Sequence, residues 1–196
     1  MKTFWNQFIP RIVVTAALFL AGARAGQAGE ATAFELIKAG NHYVGEQSKD
    51  KVVQIRSEKS VASLVPNIWY VVYYDPDATL KAVEVKFGAG QKLDVSHPLR
   101  LLEPITGENK VLEVAKLQVD SDKALELAAA EPLLKPLTLK ASQLWLQHSD
   151  EGPVWKVKFW AAKLKNPNDD VDIGEVYISA DQGKVVRSDL HVNKVD

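Results

Sequence analysis

Two stretches of this chain alternate apolar and charged residues with a period of two. Val83, Val85 and Phe87 alternate with Glu84 and Lys86, and further along Trp155, Val157 and Phe159 alternate with Lys156 and Lys158. Successive side chains of a strand point to opposite faces, so this pattern specifies a sheet buried on one face and wet on the other. The run Ile68-Trp69-Tyr70-Val71-Val72-Tyr73-Tyr74 is rich in β-branched and aromatic residues and reads as a third strand. The composition fits a globular domain, 46% apolar and 25% charged with a formal net charge of −1, so no global field draws nucleic acid. Cysteine is absent, which removes disulfides, thiolate metal sites and cysteine nucleophiles.

The first residues form a leader. Lys2 and Arg11 precede an apolar run from Ile12 to Ala23, and Ala23-Arg24-Ala25 places small residues where a signal peptidase reads. Twelve helical residues rise about 18 Å against a hydrocarbon core of about 30 Å, so the expectation is a cleaved signal peptide over residues 1–25 and no anchor. The mature chain would begin at Gly26, be exported to the periplasm or secreted, and carry no membrane span.

The rest reads as one unit written twice. Thr32 caps a helix with small or apolar positions at Ala33, Leu36, Ile37, Gly40 and Val44, with Gly45 as its stop. Short strands follow around Val53 and Ile55, at 68–74, at 80–87 and, after the Gly88-Ala89-Gly90 turn, around Lys92 to Val95. In the second half Asp120, Ser121 and Asp122 offer caps for a helix over 124–130, which Pro132 ends. Strands then follow at 141–146, 154–160, 174–178 and 184–187. Val53 and Ile55 match Leu144 and Leu146, and Trp69, Val71 and Tyr73 match Trp155, Val157 and Phe159. The expected organisation is a first repeat over 30–98, a connecting segment over 99–119 and a second repeat over 120–196. Leu101, Leu102, Val111, Leu112, Val114 and Leu117 make that connection too apolar for a free linker.

Residues 121–190 resemble a PepSY-type domain. Ser121 to Ala128 looks like its opening helix, Pro153-Val154-Trp155-Lys156-Val157-Lys158-Phe159 its central strand, and the stretch from Gly174 through Tyr177, Asp181, Gly183, Lys184 and Val185 its closing hairpin. Gln182 stands where that family commonly has Thr. The resemblance implies an α+β fold, a tandem repeat of a helix packed on a curled antiparallel sheet, related in shape to cystatins and to the beta-lactamase inhibitory proteins. It also implies an exported, non-enzymatic module that inhibits or tunes a peptidase, and it transfers no catalytic residue.

The residues themselves carry little chemistry. His42, His97, His148 and His191 form no ligand spacing, and no nucleophile motif occurs, so the reading assigns no catalytic residue, metal or cofactor. Asn166, Asn168, Asp170 and Asp172 alternate as calcium ligands do, yet Val171 stands where the loop must turn and Tyr177 replaces the closing Glu. A polar loop joining two strands accounts for them. Trp160 points with Lys156 and Lys158, so it is either covered by the connecting segment or exposed as a binding anchor. The expected function is non-catalytic binding of another exported or envelope protein, such as a peptidase, with an envelope scaffold as the alternative.

Overall fold

The computed structural model describes residues 30–98, 111–150 and 152–196. The expected signal peptide over residues 1–25 and residues 99–110 of the expected connecting segment lie outside the described residues. Helix α1 (Ala33–Gly40) is followed by strands β1 (Val52–Ser57), β2 (Ile68–Tyr74), β3 (Ala82–Gly88) and β4 (Gln91–Ser96). Helix α2 (Ser121–Ala129) then leads into β5 (Leu139–Ser149), β6 (Gly152–Ala162), β7 (Asp170–Ser179) and β8 (Val185–Leu190). All eight strands form one antiparallel sheet in the order β4-β3-β2-β1-β5-β6-β7-β8. No described helix is long and apolar enough to cross a membrane.

This arrangement overturns the expected tandem of helix-on-sheet units. The described residues are β-rich, with a single eight-stranded sheet and two short α-helices. The fusion occurs at β1 and β5, where Gln54, Ile55 and Arg56 pair with Gln147, Leu146 and Trp145. A separate four-stranded unit would leave the backbone of β1 as an open edge. Pairing it with β5 satisfies both edges and lets the two halves share a core. Helices of eight and nine residues are also too short to cover a sheet of their own.

The larger of two buried clusters lies on one face of the sheet, beneath both helices, and a small one of Val53, Val72 and Ala82, with Val111 packed against it, lies apart from it. Ile55, Trp69, Val71, Tyr73, Val85, Phe87, Leu144, Leu146, Trp155, Val157, Phe159, Val176 and Ile178 belong to one buried cluster with Leu36 and Ile37 of α1 and Ala124 and Ala128 of α2. Leu112 and Val119 of the connecting segment are buried in the same cluster, as their apolarity requires. Trp69 pairs with Ser57 and Trp155 with Leu146. Aligning the two tryptophans therefore aligns Ser57 with Leu146, two residues out of step with the sequence match of Ile55 to Leu146. A slip of two preserves the face, which is why both tryptophans still point inward.

Tyr73 anchors α1 to the sheet. Its buried hydroxyl donates to the Ile37 carbonyl at 2.9 Å, and burial pushes the phenol well above its ordinary pKa. Gly40 makes room for it, because a Cβ there would lie 2.2 Å from that oxygen. The helix accordingly ends at Gly40 and not at the Gly45 read from sequence.

The two helix N-termini meet. Thr32 caps α1, as the sequence indicates, and Glu35 completes a capping box with it. The Ala33 N–H donates to Ser121 Oγ at 3.0 Å and the Phe34 N–H to Asp120 Oδ1 at 3.1 Å. The same Asp120 oxygen accepts from the Ser121 N–H at 2.6 Å, so one carboxylate caps both helices. Two positive helix ends converge on it, and a negative group there offsets their repulsion. Asp120→Ala is expected to cost about 2 kcal/mol in a urea titration, the upper range for a cap, since two N–H groups lose their acceptor. A cost within error of zero would show that the shared cap contributes nothing.

Candidate binding surface on the open face of the sheet

The face opposite the helices carries the charged and aromatic positions that alternate with the core. Their register places residues from all eight strands in one transverse line. Asp94 pairs with Lys86, Lys86 with Tyr70, Tyr70 with Arg56 and Arg56 with Trp145. Trp145 pairs with Lys156, Lys156 with Tyr177 and Tyr177 with Arg187. Strand spacing of about 4.8 Å makes the line about 33 Å long. From Lys86 onward it alternates cations with aromatic rings wherever the strand order allows.

The cations lie over the rings. The Arg56 guanidinium sits 4.0 Å from the centroid of Tyr70, with Lys86 Nζ at 5.0 Å. Lys156 lies 4.5 Å from the Trp145 ring and the Arg187 guanidinium 4.0 Å from Tyr177. Each such contact adds cross-strand attraction on this face of the sheet. Carboxylates brace cations on this face: Arg56 pairs with Glu84 at 2.9 Å, Lys86 with Glu58 at 3.2 Å and, outside the line, Lys158 with Asp172 at 3.0 Å. Tyr70 donates to Glu58 at 2.5 Å and Tyr177 to Glu175 at 2.7 Å.

These contacts shift the protonation equilibria of several groups. The Tyr70 hydroxyl, with Lys86, holds Glu58 below the usual carboxylate range. Hydrogen bonding with the Tyr70 hydroxyl and donation to the Glu58 carboxylate raise Lys86. Burial alone would lower Lys158, yet Asp172 and Glu175 hold it above the ordinary lysine value. Burial alone would raise Asp172, but the Gly174 N–H and Lys158 hold it down. Partial burial and the Glu175 hydrogen bond push Tyr177 up.

Trp160 lies half-buried near the end of β6 on this face. What covers its ring is Lys59 at 4.8 Å and Lys158 at 5.6 Å. The Asn166–Asp172 loop is tied to the same lysines. Asp170 pairs with Lys59 at 2.8 Å, Asp172 pairs with Lys158 and accepts from the Gly174 N–H, and Asp169 accepts from Asn166 Nδ2. Its carboxylates are thus engaged with cations and turn N–H groups. Among the described residues no group of three or more His, Asp or Glu is placed to hold a metal ion. His42, His97, His148 and His191 are exposed on separate segments, with His97 3.8 Å from Asp75 and His191 3.6 Å from Asp189.

Two features of this surface escape sequence reasoning. One is the line itself: outward-pointing Tyr70, Lys86 and Lys156 are visible in the alternation, but which of them stand side by side depends on register. The other is the loop between β1 and β2. Four consecutive carbonyls, of Ser63, Leu64, Val65 and Pro66, accept from Ser60 Oγ, Ser142 Oγ, Ser63 Oγ and Trp69 Nε1 at 2.5–3.1 Å. These donors, of which Ser60, Ser142 and Trp69 are buried, hold a loop whose tip residue Val61 is 80% exposed and whose Ala62 has φ +59°. A cavity of about 390 Å³ lies beside it, lined in part by Lys59, Val61, Lys140 and Asp170. At the far end of the line a second cavity of about 310 Å³ is lined by Asp150, Val154, Tyr177 and Arg187, among others. No family model, no curated protein and no solved structure matches this chain.

Proposed function

We propose that the chain is an exported, non-catalytic binding module that grips another exported or envelope protein, of which a peptidase is the leading case, through the open face of its sheet. The observation that carries the reading is the cation–aromatic line from Lys86 to Arg187. Tyr, Trp and Arg dominate the energetics of protein interfaces. Here ion pairs and ring contacts already restrain several of them, so docking loses little side-chain entropy. The interleaved carboxylates cancel the positive charge, which disfavours a polyanion and suits a protein surface of mixed charge. The leader over residues 1–25 supports export, and the PepSY-type resemblance of 121–190 supports peptidase regulation.

The test is capture from a panel of purified exported peptidases and envelope proteins. Trp145→Ala and Arg187→Ala are each expected to weaken the captured complex about tenfold or more, with little change in the unfolding midpoint. A partner bound equally well by both variants would place the interface elsewhere. Hydrolytic turnover abolished by one His or Asp substitution would make the protein an enzyme and end the reading.

A further inference from the structure

We infer that strand β8 pairs antiparallel with β8 of a second copy about a two-fold axis at Ser188, joining two sheets into one. No described strand covers the outer edge of β8. Its side chains Val185 and Val186 are 46% and 44% exposed, and the strand contains neither the lysine nor the proline that usually blunts an edge.

Backbone direction selects the register. The His191 N–H donates to the Ile173 carbonyl of β7 at 2.8 Å, and Asp189 and Arg187 follow at steps of two opposite Glu175 and Tyr177. Those three residues turn their backbone groups toward β7, so Ser188 and Leu190 turn theirs outward. A two-fold axis at Ser188 makes the two Ser188 residues a hydrogen-bonded pair. It sets Arg187 of each copy opposite Asp189 of the other, and Val186 opposite Leu190. Arg187 and Asp189 both lie on the open face, because their partners Tyr177 and Glu175 do. They would form non-hydrogen-bonded pairs, the closer kind, with Cα atoms about 4.5 Å apart.

Neighbouring registers fail. A two-fold axis at Arg187 or at Asp189 sets like charges opposite each other. The other edge does not offer the same match, although Lys92 and Asp94 of β4 also flank one residue. The irregularity in β4 turns Asp94 toward the row of Lys86 and Lys92 toward the row of Phe87, on opposite faces. In β8 the irregularity lies before Arg187, so 187–190 stays regular. A self-complementary edge of this kind fits the isologous interface of a two-fold dimer.

Sedimentation velocity on the protein purified from a secreting host tests this over a wide concentration range. The expected result is reversible dimerisation with a dissociation constant on the order of micromolar. Ser188→Pro removes an N–H that points away from β7 and is expected to leave a folded monomer. Asp189→Arg alone is expected to weaken the dimer about tenfold or more, and Arg187→Asp combined with Asp189→Arg to restore it. A monomer at every concentration would overturn the inference. So would a dimer insensitive to a folded Ser188→Pro variant, or a charge swap that fails to restore association.

Discussion

Replacing Gly174 by alanine is expected to cost about 3–5 kcal/mol, enough to remove a large part of a typical domain's stability. Gly174 has φ +105°, a backbone conformation that side chains with a Cβ resist. A Cβ there would also lie 2.0 Å from the Asp189 carbonyl oxygen. That oxygen belongs to the backbone of β8 and is held by the ladder, so it cannot swing aside as a side chain would. Gly152→Ala provides the internal control. Gly152 has φ +104°, yet a Cβ there meets nothing within 4 Å. The difference between the two variants in a denaturant titration isolates the clash from the backbone strain. Equal costs would show that β8 gives way freely at Asp189.

Trp155→Ala is expected to cost about 3–5 kcal/mol. The side chain is fully buried, and its Nε1 donates to the Val119 carbonyl at 2.8 Å. Truncation leaves a cavity in the centre of the shared core and a buried carbonyl without its donor. Because one cluster runs through both halves, the whole molecule should melt earlier in one transition. Trp160→Ala, half-buried on the open face, is expected to cost about 1 kcal/mol or less. A Trp155→Ala variant that melts in two steps, with one half unaffected, would show that the cores are separate.

The sequence made the one-sided character of the sheet legible, because alternation is local and charges between apolar residues have only one stable orientation. The Thr32 cap, the inward tryptophans and the buried connecting residue Leu112 are readable for the same reason: each depends on neighbours within a few positions. What was not legible depends on strand pairing between distant segments. The β1–β5 seam joins Ile55 to Leu146, and nothing in either short strand names the other. Two similar halves therefore read as two units, although their exposed edges stabilise each other more effectively as one sheet.

The candidate surface was hidden for a related reason. Arg56 and Trp145 are unremarkable apart, and only the seam makes them neighbours in the cation–aromatic line. The β1–β2 loop owes its shape to Ser142, a residue of the other half whose hydroxyl reaches the Leu64 carbonyl. Sequence reasoning singled out Trp160 because an outward tryptophan is conspicuous, and it does lie on this face. It could not show that the lysines around it also hold Asp170 and Asp172, which joins the acidic loop to the braced surface.

The central claim is that both halves form one sheet over one core, with the seam at its centre and the open face assembled across it. Native-state hydrogen exchange of the purified protein tests this most directly. The amides of β1 and β5 at Gln54–Arg56 and Trp145–Gln147 should be among the slowest, exchanging only with global unfolding and losing protection together as denaturant is added. Protection that persists in β5 to β8 after β1 to β4 has exchanged would mean two independently stable units, and would contradict the account.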